Sequence, residues 1–336
     1  MIPIARVSQV IGCWIVLATA ALTADVPTHE ESPGIPKGEQ ATIQIGMFLL
    51  RVPSLSLPNN EFTIDAYVWF RWKGDLDPKP SESFEVTNGT VENKELCEEK
   101  VIKVNGEDIH YACCRITARI SQYWDVSSYP FDRHILNVHI EDAKNDEAAL
   151  QYEVDRGNCG IDESCRITGW TLGEPTAEIA SHLYHTNYGD LELESGYVSR
   201  FSRFAFSFPM ERASIAYSFK VFNGLHVAVV IALLAFCIKP TNLDPRFGLG
   251  IGAIFAAIAS QYLIASQLPE TGQLTLVDQL HIAGNLTILA SLLISVASLT
   301  LFERGREAAS RRVDRFALLA LTLAYAGTCG WLSIHG

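Results

Sequence analysis

Asp244, Gly248, Gly252, Phe255, Ala259, Tyr262 and Ser266 recur at steps of four and three within one apolar stretch. That spacing puts them on a single face of an α-helix. A carboxylate, two glycines and two aromatic rings along one stripe would line an ion path if several such helices enclosed an axis. Ordinary bundle packing, with small residues where helices meet, is the competing account. Leu249, Ile251, Ile254, Ile258, Leu263 and Ile264 flank the stripe and suit contacts with neighbouring helices.

Glu141, Asp142, Asp146 and Glu147 carry a second chemistry, with Asp155, Asp162 and Glu163 further on. Their hard oxygens suit Ca²⁺ as a modulator, although the spacing fits no dedicated calcium loop. A solvated acidic loop and a proton-binding cluster are the alternatives. No zinc-helix motif, phosphate loop or nucleophile elbow occurs, so no residue is given a catalytic role and enzyme activity is not expected.

The elements holding these residues differ along the chain. Of 336 residues, 48% are hydrophobic and 19% charged, with a net charge of -12. Such a chain has no basic face for nucleic acid. Residues 25–212 hold 32 acidic and 17 basic groups, whereas residues 213–336 hold 6 and 8. The chain therefore divides at Arg212 into an acidic polar domain, 25–212, and an apolar one, 213–336.

Residues 1–24 read as a signal peptide: Arg6, an apolar run from Val10 to Leu22, and small residues up to Ala24. An uncleaved anchor is the alternative. Four longer apolar segments are expected to span as helices at about 217–238, 245–268, 274–302 and 315–334. Arg304, Arg306, Arg311, Arg312 and Arg315 separate the third from the fourth, and Lys239 and Arg246 the first from the second. Both links are expected to be cytoplasmic. The 25–212 domain then lies outside, extracellular or periplasmic, on a multi-pass protein of the plasma (inner) membrane in contact with lipid.

The outer domain shows period-2 runs and no helical period. Thr42–Leu50, Phe62–Trp72, Ile109–Ile120, Ile135–Ile140, Leu150–Val154, Ile167–Leu172 and Tyr197–Phe208 read as strands of an antiparallel immunoglobulin-like sandwich. Asn105-Gly106 is a hairpin signal. Counting back from it sets Cys97 opposite Cys114, an expected disulfide; a one-residue slip would exchange Cys113 for Cys114. Cys159 and Cys165 would close a second, short loop.

Tyr129-Pro-Phe-Asp132 resembles the Phe-Pro-Phe-Asp motif of pentameric ligand-gated ion channels, the Cys-loop receptor family. Trp72 resembles that family's second-strand tryptophan, and Arg212 its arginine before the first span. Pro245-Arg-Phe-Gly-Leu-Gly-Ile251, running on to Pro269, resembles its pore helix. Gln122 and Leu136 occupy the positions of the family's loop disulfide, and the cytoplasmic link between the third and fourth spans is short. Both departures suit a prokaryotic-type member. The proline usual in the first span is also missing.

The resemblance implies an extracellular β-sandwich, a four-helix transmembrane bundle and a cyclic homopentamer. Each stripe residue then becomes a ring of five. Asp244 and Arg246 are the selectivity candidates, and Phe255 and Tyr262 the gate. The family's Pro-Ala-Arg anion signature is here Asp244-Pro-Arg246, so a cation channel is expected; Arg246 would sit behind the mouth or pair with Asp244. An anion channel and a non-conducting membrane-anchored sensor are the alternatives. The resemblance implies a small-molecule or ion ligand between subunits, at Tyr67, Trp69 and Arg71 on one side and Tyr184, Tyr188 and Tyr197 on the other. Rings could hold an amine there, although Ala143 stands where an aromatic is frequent. It also implies coupling of the domains through Tyr129, Pro130, Phe131, Asp132, Arg212, Pro269 and Thr275, with Asp132 and Arg212 as an ion pair. Asp278, His281 and Asn285 are polar residues in membrane, either functional or bonding between helices.

Overall fold

The computed structural model describes residues 40–189, 191, 193, 196–212 and 215–335. The expected signal peptide lies outside them. Strand β2 (Glu61–Lys73) shows why the outer domain is β: Phe62, Ile64, Ala66, Val68, Phe70 and Trp72 alternate and are all buried. Such a period gives a strand one face to bury. Strand β1 (Ala41–Ser56) pairs with it, and so does β5 (Glu107–Ser121), whose far edge carries β4 (Gly89–Val104). Strands β7 (Leu150–Val154) and β8 (Gly160–Ile161) complete this sheet. Both run parallel to β1, a departure from the wholly antiparallel expectation.

The second sheet runs β10 (Thr176–Tyr184), β11 (Ser199–Arg212), β6 (Arg133–Asp142), β3 (Phe84–Val86), with β9 (Trp170–Leu172) also on β11. A single turn, α1 (Pro80–Ser83), precedes β3. Phe204, Phe206 and Phe208 of β11 are fully buried between the sheets. At β9 only Trp170–Leu172 forms, shorter than the expected Ile167–Leu172. The sequence reading named no strand at β3, β4, β8 or β10, although its Asn105-Gly106 hairpin implied a partner strand through Cys97. Strand β4 is exposed almost throughout and rich in Glu and Lys, so it has no apolar period. Charges of this kind protect a sheet edge from pairing with another chain.

The hairpin forms at Asn105-Gly106, with φ of 53° and 90°. Both residues adopt the left-handed backbone that this turn demands. Counted pairing holds from Val104–Glu107 to Glu98–Cys113, and then a bulge intervenes, so that Leu96 faces Cys114. Cys97 becomes the extra residue, and the expected Cys97–Cys114 disulfide is absent: Cys97 is exposed, whereas Cys114 is buried against the Ser81 carbonyl. The Cys159–Cys165 disulfide is absent too. Cys159 takes a bond from the backbone of Met47 and Cys165 from that of Val52. Those anchor points are five residues apart on β1, about 16 Å at strand rise, beyond disulfide reach.

Four helices follow: α2 (Ile215–Leu234), α3 (Leu243–Ala265), α4 (Leu276–Glu303) and α5 (Glu307–His335). All are long and apolar enough to cross a membrane. Helix α2 is continuous over Ile215–Leu234 and holds no proline. Helix α5 begins eight residues before the expected 315. Two buried contacts hold those first two turns to the bundle: Ser310 Oγ to Ser298 Oγ at 2.8 Å, and Asp314 to Arg246. Helices α2 and α4 meet at Gly284, where an added Cβ would lie 2.5 Å from Leu225 Cδ1.

Candidate pore and gating junction

Helix α3 has two sides. Arg246, Gly250, Ala253, Ala257 and Ile264 are buried against the other helices. Asp244, Gly248, Gly252, Phe255, Ala259, Tyr262 and Ser266 all lie on the exposed side. Phe255 is 69% and Tyr262 73% exposed in the single chain. Small buried residues let α3 sit close to its neighbours, and the large side chains are left pointing away.

Arg246 is fully buried and does not pair with Asp244. Its Nη2 donates to Asp314 Oδ1 at 2.6 Å, its Nη1 to Asp314 Oδ2 at 3.2 Å and to the Ile238 carbonyl at 3.0 Å. Asp314 was missed because it lies in a run of arginines that reads as a solvated link. Its signal is its place one turn after Ser310 in an amphipathic helix.

The junction between β domain and bundle centres on Asp132, which is fully buried. Arg212 Nε donates to its Oδ1 at 2.9 Å, and His134 Nε2 lies 2.8 Å from Oδ2. Burial pushes the Asp132 carboxyl up, but the bonds from His134 and Arg212 outweigh it and hold the group below the usual carboxylate range. The Arg212 guanidinium lies 4.0 Å from the Trp170 ring centre, 4.7 Å from Tyr217 and 5.0 Å from Tyr129. Tyr129 and Tyr217 hydroxyls meet at 2.7 Å. Pro130 and Pro269 are buried, and Phe131 is exposed. Thr275 caps α4 reciprocally with Asp278, and Leu276 N donates to the Ser127 carbonyl at 2.8 Å. One backbone hydrogen bond thus ties the first residue of α4 to the loop before Asp132. His134, Trp170 and Tyr217 belong to this cluster although the sequence reading did not include them. Deeper in α4, His281 Nδ1 meets the Val277 carbonyl at 2.9 Å, while His281 Nε2 and Asn285 Oδ1 are buried with no hydrogen-bond partner.

The expected ligand residues fall on different sheets of one chain. Tyr67, Trp69 and Arg71 share the outer face of β2, half-buried. Trp69 Nε1 donates to Asp155 Oδ2 at 3.0 Å, and Arg71 pairs with the same carboxylate. On the other sheet Tyr184 packs against His182, Phe201 and Tyr188, and its hydroxyl donates to Glu141 Oε2 at 3.0 Å. Tyr188 is exposed and Tyr197 half-buried.

The four clustered carboxylates do not converge. Glu141 pairs with Arg203 and Tyr184. Asp142 accepts from Ser83 and from the backbone of Lys144 and Asn145. Asp146 accepts from the backbone of Ala148 and Ala149, and Glu147 from Ser181. Among the described residues no group of three or more His, Cys, Asp or Glu is arranged to hold a metal. Most of these carboxylate oxygens take local partners, while Glu147 Oε2 is buried without a hydrogen bond, 3.8 Å from Arg200 Nε.

No family model matches the chain. A proton-gated ion channel of Gloeobacter violaceus is 23% identical over 252 residues, 70% of this chain and 67% of that protein. A gamma-aminobutyric acid receptor subunit pi of Bos taurus is 22% identical over 219 residues, 63% of this chain and 45% of that protein. Both relatives are pentameric ligand-gated channels. With a β-sandwich leading into four spans, the chain is a multi-pass membrane protein with its N-terminal domain outside, and in sequence and order of elements it resembles the pentameric ligand-gated ion channels.

Proposed function

We propose that five copies of this chain enclose a cation-selective pore lined by α3 and opened by a small-molecule or ion ligand acting on the β domain. One observation carries the reading. Asp244 and Arg246 are the two charged residues of α3; Arg246 is buried and neutralised by Asp314, while Asp244 stays on the exposed stripe. Five such helices facing an axis would present a carboxylate ring at the cytoplasmic mouth, which favours cations electrostatically. Phe255 and Tyr262, the large exposed rings of the stripe, would narrow the path and gate it by dewetting.

Separation of the two aromatic groups on opposite sheets supports a ligand site shared between neighbouring subunits. Tyr67, Trp69 and Arg71 of one would face Tyr184, Tyr188 and Tyr197 of the next. Binding would reach the pore through the buried Asp132–Arg212 pair and the Ser127–Leu276 hydrogen bond.

The test is the reversal potential of the purified protein in planar bilayers under a salt gradient, wild type against Asp244→Ala. The proton-gated relative makes acid steps the first opener to apply, and Ca²⁺ steps the second. A cation-side reversal that weakens in Asp244→Ala is expected. An anion-side reversal would overturn the selectivity, and failure to conduct under every step would favour a membrane-anchored sensor.

A further inference from the structure

Three thiols meet at the bulge of β4. Cys97 stands between the pairs Leu96–Cys114 and Glu98–Cys113, as the extra residue of that strand. A bulge sets two residues of one strand against one of its partner. Glu98 is the residue paired with Cys113 and Leu96 the one paired with Cys114, at Cα separations of about 4.5–5.5 Å; Cys97, one residue from each, lies close enough to both thiols to act on them electrostatically. The two neighbours across the ladder are not equivalent. Cys114 faces the core, where its sulfur bonds the Ser81 carbonyl at 3.9 Å. Cys113 is half-buried on the outer face, opposite Trp69 of β2 and bonded to the Tyr111 hydroxyl. Cys97 is exposed. Burial pushes the Cys113 thiol up, the Tyr111 bond pulls it back, and the nearby Cys97 adds to the upward push. The domain lies outside the membrane, where thiols meet oxidants.

We propose that Cys97 and Cys113 are a thiol–disulfide modification site, oxidised by low-molecular-weight disulfides. Exposed Cys97 reacts first. Its thiolate attacks one sulfur of the small disulfide, forming a mixed disulfide and releasing one thiol. Cys113, losing its proton, then attacks Cys97 Sγ, forms the Cys97–Cys113 bond and expels the second thiol. Two electrons pass from the cysteines to the small disulfide, which leaves as two thiols carrying the two cysteine protons. The bond would staple the edge strand β4 to β5 directly beside Trp69. The site stands on strand geometry alone, whatever the Tyr67–Trp69–Arg71 face binds.

Full-length protein in detergent is incubated with oxidised glutathione, denatured, alkylated and mapped by mass spectrometry with and without reduction. A reducible link from the Cys97 peptide to the Cys113 peptide is expected. It should vanish in Cys97→Ser and Cys113→Ser and persist in Cys114→Ser. Fragmentation between Cys113 and Cys114 assigns the sulfur in the wild type, so the answer does not depend on a variant folding. A bond mapped to Cys114, a stable glutathione adduct on Cys97 without a link, or no reaction at either thiol would overturn the proposal.

Discussion

Asp314→Ala should be among the most damaging single changes in the membrane domain. The substitution leaves the Arg246 guanidinium, 0% exposed, with the Ile238 carbonyl at 3.0 Å as its remaining oxygen partner. Three of its donor contacts shrink to one, and both lost contacts were to a full negative charge at 2.6 and 3.2 Å. Removing one member of a buried pair costs about 3–5 kcal/mol, because an uncompensated charge stays behind. That is roughly two to four orders of magnitude in the folded-to-unfolded ratio. Replacing both members with apolar residues, Arg246→Met with Asp314→Leu, removes the charge as well as its partner and should recover most of the loss. The assay is heating the detergent-solubilised protein and following the surviving oligomer by size exclusion, with bilayer reversal potentials on the double variant. The expected order of stability is wild type, then the double variant close to it, then Asp314→Ala well below. Because Arg246 faces away from the exposed stripe, the double variant should keep the wild-type reversal potential. Asp314→Ala melting with wild type, or a double variant whose reversal changes sign, would refute the reasoning.

Asp132→Asn should lower stability by about 1.5–3 kcal/mol, the worth of hydrogen bonds to a charged group, and should uncouple the β domain from the pore, read as current lost with folding retained. Since the Asp132 carboxyl is held below its unfolded value, its stabilisation is complete above the ordinary carboxylate range and is lost as pH falls through the lowered folded value; thermal melts from neutral to strongly acid pH should show a smaller acid loss in Asp132→Asn. Gly46→Ala would set a Cβ 2.3 Å from Trp69 Cζ2, so the indole must move off Asp155; about 1–3 kcal/mol of overpacking cost is expected, visible as a lower melting temperature with altered tryptophan fluorescence. Thr275→Ala removes the cap of α4 and should cost about 1 kcal/mol, measured the same way.

The broad plan was legible because it rests on local patterns. Alternation in Phe62–Trp72 and Phe204–Phe208 needs one buried face, and that face exists only in a strand packed against another layer. Four long apolar runs and the arginines between them specify spans and their direction whatever the packing. The stripe from Asp244 to Ser266 was readable for the same reason, since helical spacing alone puts its members on one side. Asn105-Gly106 revealed its turn because few residues tolerate both left-handed positions.

What remained hidden depended on distant partners. Of the strands missed, β3 and β8 are only three and two residues long, too short for a pattern, and β4 and β10 are edge strands with no continuous apolar face to betray them. A one-residue bulge at Cys97 undid a disulfide that simple counting supported. The acidic run Glu141–Glu147 offered hard oxygens for a cation or a solvated loop, and its spacing could not show that Arg203, Tyr184, Ser83, Ser181 and nearby amides take most of those oxygens. Above all, the fate of Arg246 was open in the sequence. Only the docking of α5, 68 residues further along, provides Asp314 and buries the positive charge away from the stripe. Residue type and spacing determined the elements and the faces they expose. Which charges survive on those faces was decided by tertiary contact, because a charge can be cancelled only by a group that folding brings beside it.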